Sequence, residues 1–290
     1  MDASPGFLIQ DDVPAKGPPR RRLPALAFPL SALVVVAMIV AAIAPGLLAP
    51  FDPTDMDGDA ILRPPCWPHL LGTDHFGRDI LSLVIYGARA SLLMGGCAVA
   101  VGGLAGGLTG LVAGYAGRTM DMILMRLLDI WMSVPDMLLA IIVAAGLGAS
   151  FGHTILAVGF VTIPRYARVM RAQTISVCHR PFIEASRSIG TSHARIVVQH
   201  VLPHTFATML VVTTLGVGTA ILMGAALSFI GLGVIDDRPD WGFLLSQGRS
   251  YVTVAWWFAT FPGLAITALV IAVNVLGDAL RNRLDPRLRS

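Results

Sequence analysis

Residues 180–204 read RPFIEASRSIGTSHARIVVQHVLPH. The stretch is polar, interrupted by Gly190, closed by Pro203, and set between two long apolar runs. Pro181 suits the first position of a helix, where a missing N–H costs nothing. Glu184 falls in the first turn, where a negative charge favours the helix dipole. Gly190 suits the left-handed position just past a helix end. The spacing predicts a short helix over 181–189 and a second over about 192–201, begun by Ser192 and stopped by Pro203. Two short helices joined at a glycine make a compact knob. The plainer alternative is an amphipathic connector lying on a membrane surface.

The surroundings are lipid-like. Hydrophobic residues make up 55% of the chain and charged residues 13%, against about 25% charged in a soluble domain. No Asp, Glu, Lys or Arg occurs in Leu23–Phe51, Ala90–Gly117, Met137–Pro164, His204–Ile235 or Ser250–Gly277. A bilayer-spanning helix needs roughly 20 mainly apolar residues, and each run is long enough. The pattern predicts six spans, at about 28–49, 91–114, 122–147, 150–170, 205–231 and 258–279. "GLGASFG" (146–152) separates the third from the fourth. The first run is too long for a secretory h-region and lacks a clean cleavage site.

The cations set the orientation. With the N-terminus inside, the outer segments hold only Arg63, Arg78, Arg89, Arg238 and Arg249 of the 21 Lys and Arg residues. Both termini and the opening stretch are then cytoplasmic. The same map puts Cys66 outside, Cys97 in a span and Cys178 inside, so no intramolecular disulfide is expected. The net charge of +3 is too small to argue for nucleic acid.

Several chemistries lack their residues. The sole lysine, Lys16, sits in "PAKGPP", so no phosphate-binding loop ends in the lysine it needs. Neither H-E-x-x-H nor G-x-S-x-G occurs. Cys66, His69, Asp74 and His75 fit no standard metal spacing and read as part of an ordered outer loop.

"EASRSIGTSHARIVVQHVLP" resembles the EAA motif of the permease subunits of bacterial ABC importers, with Glu184, Ala185, Gly190, Leu202 and Pro203 at matching positions. Ser186 stands where a second alanine is usual, and His204 where asparagine often follows Leu-Pro. "HLLGTDHFGRDILSLVIYGARASL" (69–92) resembles the external signature of C-type subunits in the peptide and nickel subfamily. "SFIGLGV" (228–234), "PDWGFLLSQGRSY" (239–251), "WWFATFPG" (256–263) and "NVLGDALRNRLDPRLR" (274–289) are similar to it too. The resemblance implies an all-α integral membrane protein with six transmembrane helices and the type I ABC importer permease (MetI-like) fold. It implies that Glu184, Ala185, Ser186, Gly190, Leu202 and Pro203 form the loop that couples to separate ATPase subunits. It makes Gly72, Thr73, Asp74, Gly77, Arg78 and Asp79 an ordered outer signature facing a substrate-binding protein. The implied partners are a homologous B-type permease, two ATPases that bind the ATP and Mg, that binding protein and the lipid bilayer. The chain itself is expected to bind no cofactor, metal or nucleic acid and to catalyse nothing alone. Its location would be the bacterial cytoplasmic (inner) membrane. Short peptides are the expected cargo, with nickel chelates, glutathione, heme and small glycans as alternatives.

The expected layout is a disordered tail over 1–22, a first transmembrane segment over 23–49 and an external region over 50–89. A core permease domain follows over 90–280, with its coupling segment at 180–203, and a cytoplasmic tail over 281–290 ends the chain. Gly102, Gly106, Gly110 and Gly114 make a ridge of small residues suited to close helix packing. Asp129 is expected to pair with Arg126 or Arg168. Asp136, after Pro135, is a candidate pathway residue that would meet a peptide amine, since an acid in a membrane helix faces a partner or a cavity. A self-contained secondary transporter would need duplicated, broken helices, and none is visible. A membrane enzyme lacks its motifs.

Overall fold

The computed structural model describes residues 26–233 and 240–284. The expectations for the tail over 1–22, for residues 285–290, and for Val234 and Pro239 of the signature stretches lie outside them. Among the described residues every regular element is a helix, and the sole β-type pairing is an isolated Thr73–Asp79 bridge.

In chain order these are α1 (Ala27–Ile43), the one-turn α2 (Pro45–Leu48), α3 (Ile80–Tyr115), α4 (Arg118–Trp131) and α5 (Asp136–Leu147). Then come α6 (Phe151–Cys178), α7 (Pro181–Ser188), α8 (His193–Ile196), α9 (Leu202–Phe229), α10 (Trp241–Arg249) and α11 (Trp256–Leu284). Three continuous helices, 80–115, 193–229 and 256–283, are long and apolar enough to cross a membrane. The α4–α5 pair makes a fourth if counted as one broken span. The apolar α1 has 17 residues. The 28-residue α6 is long enough but carries Arg165, Arg168 and Arg171 towards its end.

Four details differ from the sequence reading. The second span starts at Ile80 rather than near 91, because Asp79 caps it by accepting from the Ser82 N–H. The third is not one straight helix: Met132 to Pro135 break it, and α4 and α5 meet at 85°. Pro135 disfavours a helical residue before it and lacks the N–H to carry the ladder on. The first span ends at Ile43, where Pro45 opens a new turn. Pro203 does not stop the second knob helix. Residues 197–201 form a π turn in which the Leu202 N–H bonds the Val197 carbonyl. The wide turn makes room where the proline ring would otherwise meet the carbonyl of Gln199. The helix therefore runs unbroken from His193 to Phe229.

The most extensive helix contact is between α3 and α6, and the glycine ridge makes it. A Cβ at Gly106 would lie 2.5 Å from the Ile163 carbonyl oxygen, and one at Gly114 would lie 2.7 Å from the Thr174 Cβ. At Gly102 and Gly110 it would collide with Thr162 and the Ala167 carbonyl. In lipid, apolar area gives little drive for association, so close backbone approach supplies the attraction. The ridge is thus used inside the chain. Three apolar clusters stack along the bundle. One lies around Trp241, Phe258 and Leu269, one around Ala157, Tyr166 and Leu227, and one at the knob.

Candidate functional site

The knob is built on α7. Pro181 occupies the first turn, and Glu184 follows there as the acid the dipole favours. The end is a Schellman turn: the Thr191 N–H bonds the Ser186 carbonyl and the Gly190 N–H bonds that of Arg187. Gly190 sits at φ +79°, which a side chain would resist. Ser186 donates its hydroxyl to the Phe182 carbonyl, so the serine in place of alanine is satisfied within its own helix. Ser192 makes no side-chain cap.

Ile183 is fully buried and pins α7 to Ile196, Val201, Val177, Met170 and Leu111. The opposite face is open: Glu184, Ala185, Ile189 and Gly190 are all exposed. The knob is also tied to its neighbours by polar and ring contacts. The Tyr115 hydroxyl at the end of α3 lies 2.9 Å from His193 Nδ1, and the Arg187 guanidinium sits over the Tyr115 ring. Phe182 stacks on His204 of α9 at 5.1 Å. α7 thus contacts α3, α6 and α9 at once. Leu202 and Pro203 are exposed and line an apolar groove of about 650 Å³ between α3 and α9, with Gly103 and Gly107 on its other wall.

The 72–79 signature is a second built feature. Arg78 Nε donates to Asp74 Oδ2 at 2.7 Å, and both side chains are buried. Asp74 also accepts from the Phe76 and Arg78 N–H groups. Asp79 lies 3.1 Å from His69 Nδ1, accepts from the Ser82 hydroxyl and caps α3. Thr73 donates to the Ala60 carbonyl, and Trp257 Nε1 donates to the Thr73 carbonyl from α11. Gly72 and Gly77 both have φ +77°, and a Cβ on either would strike backbone. The six signature residues thus meet in one cap that locks the 50–79 segment onto α3 and α11. His69 and Asp74 of the weighed metal cluster are engaged in these contacts.

His75 lies in the same cap between Phe76, Tyr251 and Phe258, and its Nδ1 is buried with no partner among the described residues. Burial holds its pKa below the ordinary 6.5, with Arg78 acting the same way and Asp74 opposing. Asp240 caps α10 by accepting from the Phe243 N–H and also takes the Ser228 hydroxyl at 2.7 Å. Burial pushes its carboxyl up, and those hydrogen bonds pull it partly back. Sequence reasoning weighed His75 only as part of a metal cluster and did not single out Asp240. The signal for Asp240 was there: an aspartate directly before an apolar helical run.

The intramembrane acids divide. Asp129 pairs with Arg168 at 2.6 Å, and Asp121 pairs with Arg171, so α4 is strapped to α6 by two ion pairs. Asp136 is exposed at the elbow and has no partner among the described residues.

The description "Binding-protein-dependent transport system inner membrane component" belongs to a family model that matches residues 106–290, a stretch containing the knob and α9. The chain belongs to this family. It is 39% identical to the di/tripeptide transport system permease protein DppC of Pseudomonas aeruginosa, over 89% of this chain and 87% of that protein. It is 42% identical to the dipeptide permease protein DppC of Escherichia coli K12, over 88% and 87%. The glutathione permease protein GsiD of an E. coli strain is 41% identical over 89% and 86%. Among solved structures, the inward-facing MetNI methionine ABC transporter superposes with a TM-score of 0.58 at 18% identity. It covers 71% of this chain and 98% of that one, and shows the shared fold. The all-helical, MetI-like architecture and the multi-pass membrane character of this permease follow.

Proposed function

We propose that this permease is the C-type subunit of an ATP-driven importer of short peptides in a bacterial cytoplasmic membrane, with both termini inside. It pairs with a homologous B-type permease, two ATPases dock below it, and a binding protein docks on the outer cap. ATP and Mg belong to the ATPases. The carrying observation is the knob: a helix opened by Pro181 and closed by a Schellman turn, with Glu184, Ala185 and Gly190 exposed on one face and packed on the other against α3, α6 and α9. ATP-driven closure of the ATPases moves α7, the spans follow, and the path opens outward to take the solute.

The relatives' printed substrates support the cargo: dipeptides, di- and tripeptides, and glutathione, which is itself a tripeptide. The test uses the complex purified with its neighbouring gene products and reconstituted in liposomes. Labelled di- to pentapeptides are offered against glutathione, a nickel chelate, heme and small glycans. Saturable, ATP-dependent peptide uptake is expected; uptake restricted to non-peptide solutes overturns the cargo assignment.

A further inference from the structure

Measured from the Gly148 turn, which the sequence reading places at a membrane face, the α4–α5 elbow lies about half-way through the bilayer by two rulers. The 12 residues of α5 span about 18 Å from the elbow to the turn at Gly148. Trp131, the last residue of α4, packs with its ring tilted against that of Phe160 at 4.0 Å, nine residues past the start of α6 and hence about 14 Å along it. A hydrocarbon core is roughly 30 Å thick.

Two features at that depth are incompatible with lipid. Among the described residues, no backbone N–H bonds the carbonyls of Met132, Ser133 or Val134. Met132, Ser133, Pro135 and Asp136 are exposed on the chain surface. Irregular backbone at membrane depth survives only where protein buries it or water bathes it. Asp136 adds a carboxylate with no cation beside it among the described residues, unlike Asp121 and Asp129. An uncompensated charge there requires water or a positive partner. Free carbonyls next to a carboxylate make a site that attracts cations and repels anions.

We propose that the elbow opens onto the water-filled substrate path and that Asp136 receives the cationic side chains of the passing peptide. The inference rests on the importer reading above, and its test is arranged so that each can fail alone. In a complex whose Cys66, Cys97 and Cys178 are replaced by serine, D136C is exposed to a membrane-impermeant thiol reagent. Labelling is expected; its absence from both sides of the membrane means the elbow is buried against another chain, which overturns the proposal. Uptake is then compared for dipeptides bearing lysine and glutamate side chains. D136N is expected to slow the lysine peptide about tenfold, the equivalent of about 1.4 kcal/mol, and the glutamate peptide much less, with Asp136→Glu restoring the wild-type ratio. Equal slowing of both peptides, or loss of subunit assembly in D136N, assigns Asp136 to a cation of the partner permease and overturns the cargo role. Should the wild type carry no peptide, the cargo assignment fails and the labelling alone decides whether the elbow is wet.

Discussion

Asp74 and Arg78 form an ion pair with both side chains out of solvent, and its worth lies in neither partner being left alone. Removing one leaves a buried, uncompensated charge, a loss of about 3–5 kcal/mol. Asp74→Ala should therefore lower the melting temperature of the purified complex sharply, whereas replacing exposed Arg63 in the same segment should leave it unchanged. His75 gives the cap a pH dependence of determined sign. Its folded pKa is below its unfolded value. Its contribution is thus complete above about 6.5 and is lost as pH falls towards the folded value. The wild type should lose more thermal stability between about pH 7 and about pH 5 than His75→Phe does. An equal loss in both would place the acid sensitivity elsewhere.

At the scale of elements, the α3–α6 seam is the bundle's tightest join. Gly106 has no room for a methyl group against the Ile163 carbonyl, whereas a Cβ at Gly107 would meet only the flexible Met209 Cε at 3.6 Å. Gly106→Ala should cost about 1–3 kcal/mol through overpacking and reduce the yield of assembled complex; Gly107→Ala should match the wild type in the same size-exclusion assay. The ridge was legible in the sequence because a four-residue glycine repeat is a backbone property, as was α7 from Pro181, Glu184 and Gly190. The π turn was not. Pro203 signals a stop by local rules, yet burial of Ile196 and Val201 holds the chain helical across it. The start of α3 was hidden too. Arg89 interrupts the apolar run, while Ile80 and Leu83 beyond it are buried in the cluster around Trp241. The 85° elbow left only Pro135 as its trace, since apolar residues continue on both sides of it through 122–147.

For the whole molecule, the arginine distribution makes a topological prediction. Cys66 is exposed in the outer cap and Cys178 is half-buried beside the knob. A membrane-impermeant maleimide should label Cys66 in spheroplasts and Cys178 only in inside-out vesicles; the reverse pattern would invert the permease. The six signature residues and the six knob residues then sit on opposite faces, joined by α3, α6 and α9, which is the arrangement an energy-coupled gate requires. The most direct test of that arrangement is ATP-dependent peptide uptake in liposomes by the complete complex, wild type against Glu184→Lys. Glu184 is exposed in the first turn of α7, so its replacement leaves the buried Ile183 anchor untouched. Coupling through the knob predicts a folded permease dimer that releases its ATPases and takes up no peptide. Uptake by the variant at the wild-type rate, or wild-type uptake indifferent to ATP, would contradict it.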